Sequence, residues 1–131
     1  PTSLCDWSSD VVYSYLMRWT LKVRDRFSAA HYLKEYRGKC EKVHGHTFRV
    51  EVAISVRELD RAGIGYDFTE IKKTLAALLP DHTLLNEAFP FNPSAENLAR
   101  HFYGELKRSY PVESVTVWES EDASATYAED D

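Results

Sequence analysis

The chain has 131 residues and a formal net charge of −5, a length that supports one hydrophobic core and not two. Its acidic residues gather toward the C-terminus, which argues against binding to a nucleic-acid phosphate backbone. No apolar run is long enough to span a bilayer, and Val11 to Met17 is too short and too polar for a secretory core. Two cysteines without a disulfide framework suit a reducing cytoplasm, where the protein is expected to reside without a membrane or nucleic-acid partner.

Residues 1–18 have no clear period and carry a Ser-Ser-Asp cluster, so they read as an N-terminal extension to a single domain over 19–131. From Trp19 the pattern alternates. Trp19, Leu21, Val23, Phe27 and Ala29 form an apolar file interrupted by Asp25 and ending at His31, while Thr20, Lys22, Arg24, Arg26 and Ser28 point the other way. A second alternating run places His44, His46, Phe48, Val50, Val52, Ile54 and Val56 on one face and Thr47, Arg49, Glu51, Ser55 and Arg57 on the other. Residues i and i+2 of a strand share a face, so the three histidines continue the two core-facing files. Two strands joined by about a dozen residues are most simply antiparallel neighbours. That pairing sets His31 beside His44 and His46 at one edge of the sheet.

A lone histidine on an apolar file is usually a core residue with a hydrogen-bond partner. Three of the chain's five histidines ending adjacent files is better explained by a metal. Imidazoles bind zinc at about 2.0–2.1 Å, and a catalytic zinc takes three protein ligands and keeps one open position.

Arg57 to Gly65 reads as a turn region, and Asp67-Phe68-Thr69-Glu70 resembles a capping box. Phe68, Ile71, Leu75, Leu78 and Leu79 then recur at helical spacing until Pro80. Asp81 to Asn92 reads as a loop. A second helix opens at Ser94, carries Leu98, Phe102 and Leu106 on one stripe, and ends near Tyr110-Pro111. Val115, Val117 and Glu119 form one file of a final hairpin, with Ala125 to Ala128 returning. The expected fold is α+β, in the order ββααββ, with two helices on one face of an antiparallel four-stranded sheet.

Several other residues offer chemistry. Cys40 lies between the histidine-bearing strands, near Lys39 and Lys42, where positive charge favours the thiolate; a fourth zinc ligand is the rival reading. Asp81-His82 has the composition of an acid–base relay, although these two residues alone read as a polar loop. Glu119 extends a core-facing file, and buried carboxylates are rarely unpaired. It could accept two N–H groups from an amidine-like edge such as that of a pterin or guanine; a salt bridge or a frayed strand end is the alternative. Glu96 fits ordinary first-turn placement on a helix, and His101 is expected to face solvent.

Together, Phe27-Ser28-Ala29-Ala30-His31, Cys40-x-x-x-His44-Gly45-His46, Tyr66-Asp67-Phe68, Asp81-His82-x-x-Leu85-Asn86, Pro93-Ser94-Ala95-Glu96-Asn97-Leu98-Ala99 and Trp118-Glu119 resemble the 6-pyruvoyltetrahydropterin synthase / 6-carboxytetrahydropterin synthase family. The resemblance covers roughly Trp19 to Tyr127. It implies zinc on His31, His44 and His46, Cys40 as general base, Asp81 and His82 as a second proton-handling pair, and Glu119 as pterin anchor with help from Glu96 and Ser94. It also implies the tunnelling fold (T-fold), in which subunits pool their sheets into a barrel, typically a homohexamer with active sites between subunits.

Three residues between Cys40 and His44 resemble the bacterial 6-carboxytetrahydropterin synthases of 7-deazaguanine (queuosine) biosynthesis. The implied substrate is 7,8-dihydroneopterin triphosphate, with release of triphosphate and acetaldehyde. A pyruvoyl-forming synthase and a non-catalytic zinc-binding structural protein are the alternatives. Two positions depart from the family pattern: Pro80 stands where leucine is usual, and Ala95 where a hydroxyl residue is common.

Overall fold

The computed structural model describes residues 17–39 and 41–130; most of the N-terminal extension and Cys40 lie outside them. The two alternating runs form β1 (Trp19–His31) and β2 (His44–Val56). They pair antiparallel in unbroken register, from Trp19 opposite Val56 to His31 opposite His44. Slipping this pair by one residue would turn Phe48, Val50, Val52 and Ile54, all fully buried, out to solvent. The interruption at Asp25 is a half-buried carboxylate opposite Val50 that accepts the Arg26 N–H at 2.8 Å. The file outruns its cover at the start of β1, where Trp19 is exposed.

The turn after β2 closes tightly: a Cβ on Gly65 would come within 2.7 Å of a Val56 methyl. Helix α1 (Phe68–Leu78) opens on Asp67, whose side chain accepts from Thr69 N. The capping box is half made, because Glu70 instead faces Lys73 at 3.9 Å. Ile71 and Leu75 are buried while Phe68 is exposed, so the helix's apolar stripe is narrower than its sequence suggests. Leu79 already has extended backbone, as the residue before a proline prefers, and the helix stops there.

The stretch expected to be a loop holds two short elements. β3 (Thr83–Leu84) pairs parallel with Ala29 and Ala30 of β1, and α2 (Leu85–Ala88) follows as one turn. A two-residue strand has no period to detect, and its partner lies some fifty residues upstream. Helix α3 (Ala95–Leu106) is capped by Ser94, whose hydroxyl accepts from Asn97 N, and buries Leu98, Phe102 and Leu106. β4 (Val112–Trp118) pairs antiparallel with β2, and β5 (Ser124–Tyr127) with β4.

Among the described residues the sheet therefore has five strands, ordered β3-β1-β2-β4-β5, and three helices accompany it, in place of the four and two expected. The α+β class holds. Phe27, Phe48, Val50, Val52, Val115 and Val117 meet Ile71, Leu75, Leu98 and Phe102 in one core. Each such side chain fully removed from water contributes about 1.5–3 kcal/mol. No described helix is long and apolar enough to cross a membrane.

Candidate metal centre and its surroundings

The registry of β1 with β2 delivers the three histidines to one point. His31 and His44 are direct cross-strand partners, and His46 lies opposite Ala29. The ring centroids are 4.7 Å apart for His31–His44, 4.8 Å for His44–His46 and 5.2 Å for His31–His46. Phe48 floors the cluster, meeting His31 and His46 edge-on at 5.3 and 5.5 Å.

Two of the rings are pinned through Nδ1, that of His31 to the Pro93 carbonyl at 2.8 Å and that of His44 to the Lys42 carbonyl at 2.8 Å. An imidazole that donates from Nδ1 to a carbonyl leaves its Nε2 lone pair free for a metal. Nε2 of His31 and Nε2 of His46 are buried without a hydrogen-bond partner, an arrangement that costs stability unless something fills the point they face. Burial holds His46 below the ordinary imidazole pKa, opposed by the Glu119 carboxylate and reinforced by the neighbouring His31 and His44. The shift favours the neutral form that a metal requires.

Glu119, just past β4, completes the group. Its Oε1 lies 3.0 Å from His46 Nε2 and 3.7 Å from His31 Nε2, without hydrogen-bond geometry to His46. The ligand atoms of His31, His44, His46 and Glu119 all lie within 4.8 Å of one another, so these residues could hold a metal ion. The donor set fits, and the unpartnered Nε2 atoms are the reason to expect one.

The frame around the cluster uses residues with no periodic signal in the sequence. Asn86, on α2, grips Tyr32 from both sides, accepting its N–H at 2.9 Å and donating to its carbonyl at 2.8 Å. Asn92 holds Lys34 in the same reciprocal way, at 2.8 and 2.9 Å, and its own carbonyl accepts from Asn97. Glu41 ties back to Leu33 through both backbone and side chain. The β1–β2 connection is thereby fixed on both sides of position 40, although Cys40, expected to be the reactive thiol, is itself outside the described residues.

Asp81 and His82 are held by a different clamp. The Ser28 N–H donates to Asp81 Oδ1 at 2.8 Å, and the His82 N–H donates to the Ser28 carbonyl at 2.6 Å. His82 sits at φ 56°, a left-handed conformation rarely adopted by a side-chain-bearing residue, directly after the Pro80-Asp81 turn. Its Nε2 lies 3.5 Å from Asp81 Oδ2, and the ring is largely exposed. A surface cavity of about 560 Å³ is lined by Ser28, His46, Thr47 and His82.

Ser94 uses its hydroxyl as the α3 cap, and Glu96 is exposed in the first turn. His101 corrects the expectation of a solvent-facing ring. It is half-buried against Phe89, Phe91 and Phe102, with ring centroids at 4.7, 5.5 and 5.7 Å, because the segment after α2 folds back over α3.

Residues 20–130 match the family model described as 6-pyruvoyl tetrahydropterin synthase. A Bacillus subtilis 6-carboxy-5,6,7,8-tetrahydropterin synthase is 35% identical over 88 residues, covering 61% of this chain and 60% of that protein. The Synechocystis protein of the same name is 31% identical over 119 residues, covering 83% and 92% respectively. Among solved structures, the Caenorhabditis elegans 6-pyruvoyl tetrahydropterin synthase superposes with a TM-score of 0.73 at 26% identity, covering 87% of this chain and 97% of that one.

Proposed function

Because the chain belongs to the 6-pyruvoyl tetrahydropterin synthase family, we propose that it is a zinc-dependent 6-carboxy-5,6,7,8-tetrahydropterin synthase. In this reading it converts 7,8-dihydroneopterin triphosphate and releases triphosphate and acetaldehyde, in the route to 7-deazaguanines. The observation that carries the reading is the convergence of three imidazoles, two of which have a buried and unpartnered Nε2. The carboxy-forming branch is favoured by the spacing Cys40-x-x-x-His44 and by the names of the Bacillus and Synechocystis relatives.

His31, His44 and His46 would hold the zinc. Bound there, zinc supplies Lewis acidity toward the hydroxyls of the substrate's side chain. Cys40 takes a proton from that side chain as thiolate, and His82, oriented by Asp81, exchanges a proton at a second position. Glu119 accepts two pterin N–H groups, with Glu96 and the Ser94 region beside it. The exposure of Asp81 and His82 suits service at a neighbouring subunit's site, in a homo-oligomer of hexameric type located in the cytoplasm.

Glu119 also supports a second reading. With Oε1 among the histidine nitrogens it could complete a closed four-ligand site, and closed sites are structural. The d–d spectrum of a cobalt-substituted protein distinguishes the two, since an open position perturbs it when a pterin binds. Product analysis decides the reaction: 6-carboxytetrahydropterin with acetaldehyde supports the proposal, 6-pyruvoyltetrahydropterin assigns the sister activity, and no turnover of the pterin triphosphate removes both.

A further inference from the structure

The face of the sheet turned away from the core carries a feature that folding alone does not explain. Arg26 and Arg49 are direct cross-strand partners, two like charges placed opposite one another. Such a pair is unfavourable in a sheet, and neither residue is well compensated. The Arg26 guanidinium has no hydrogen bond or ion pair with any described residue. Arg49 reaches only the exposed Glu121, at 4.0 Å. Two residue pairs further along, on the same face, Arg24 by contrast closes on Glu51 at 2.6 Å. In a chain with net charge −5, an uncompensated cationic pair is a local exception.

Its surroundings fit an anion. Ser28 and Thr47, the next pair toward the histidines, bring their hydroxyls to 3.3 Å of each other. A cavity of about 330 Å³ is lined by Arg26, Ser28, Thr47, Asp81 and His82. It shares Ser28, Thr47 and His82 with the cavity that His46 also lines. Two adjoining cavities therefore lead from beside His46, past two hydroxyls and an imidazole, to Arg26, whose cross-strand partner is Arg49. The one carboxylate that lines these two cavities, Asp81, is already engaged with the Ser28 N–H and the His82 ring.

We propose that Arg26 and Arg49, with the Ser28 and Thr47 hydroxyls, form the subsite that binds the polyphosphate tail of the substrate. Guanidinium forks bind phosphate oxygens bidentately, and hydroxyls supply further donors. An anion between the arginines would remove the cross-strand repulsion that the free protein carries. The subsite rests on the functional reading only for the attachment of that polyphosphate to a pterin; its chemistry stands on the arginines themselves.

The test is calorimetric titration of the purified full-length protein with sodium tripolyphosphate, comparing it with Arg26→Gln, Arg49→Gln, the double variant and Arg26→Lys. Zinc content and oligomer mass are measured on the same samples. The expected result is binding to the unaltered protein that weakens roughly tenfold or more in the double variant. Arg26→Lys should fall between the two, and zinc content, oligomer mass and affinity for unphosphorylated neopterin should not change. Because repulsion is relieved, the melting temperature of the ligand-free double variant should be equal to or above that of the unaltered protein. The proposal is overturned if the unaltered protein fails to bind tripolyphosphate at millimolar concentration, or if the double variant binds it equally well. It is also overturned if binding falls only in variants whose oligomer mass changes, since the arginines would then serve a subunit contact. Arginine-dependent tripolyphosphate binding by a protein that does not turn over dihydroneopterin triphosphate would keep the anion subsite and remove the enzymatic reading. Turnover with unchanged KM in the double variant would do the reverse.

Discussion

At the scale of single residues, the centre depends on which nitrogen each histidine presents. His31 and His44 spend Nδ1 on carbonyls and so offer Nε2. Removing one ring withdraws a ligand and leaves the others facing an incomplete site, so His31→Ala should sharply lower metal content. The double change His44→Ala, His46→Ala should abolish binding of the expected one zinc per chain; full occupancy in that variant, by elemental analysis, would refute the assignment. Cys40→Ala is expected to retain zinc and lose turnover, and loss of the metal would make the thiol a ligand instead. Glu119→Gln replaces a two-oxygen acceptor with a group that is part donor. Pterin affinity should then fall by about 1.5–3 kcal/mol, while the urea midpoint changes little. A Glu119→Gln protein that binds a pterin analogue normally but loses zinc would favour the closed, structural site.

At the scale of elements, the site was legible wherever a period carried it. Alternation in β1 and β2 placed His31 beside His44 because the strands run without a bulge from Trp19 to His31 and from Val56 to His44. The same alternation turned Glu119 inward beyond Val117, although its closeness to His46 needed the pairing of β4 with β2. What stayed illegible depended on contacts between distant segments. β3 and α2 are too short for a pattern, and the Asn86 and Asn92 clamps are backbone grips by polar residues in what reads as a loop. His101 was misplaced because Phe89 and Phe91, which cover it, lie in that same segment. Asn86→Ala removes both bonds to Tyr32, the residue after His31. It should lower unfolding stability by about 1–3 kcal/mol and weaken metal affinity as well. Chemical denaturation with and without zinc separates the two effects, and unchanged metal affinity would show that the clamp serves folding alone.

At the scale of the whole molecule, the sheet offers two chemically different faces. One is packed under the helices and ends in the histidines; the other is polar and carries the arginines and the approach to His82. If sites form between subunits, inactive Cys40→Ala and His82→Ala proteins should complement each other when unfolded, mixed and reassembled. Random pairing at a shared interface restores about a quarter of the sites, whereas a site built within one chain restores none. The central claim, a pterin synthase whose turnover needs the metal held by His31, His44 and His46, is tested most directly by one assay: consumption of 7,8-dihydroneopterin triphosphate before metal removal, after it, and after zinc is restored. The account predicts turnover that disappears with the metal and returns as zinc approaches one per chain. Undiminished consumption by metal-free protein, or none by fully zinc-loaded protein, would contradict it.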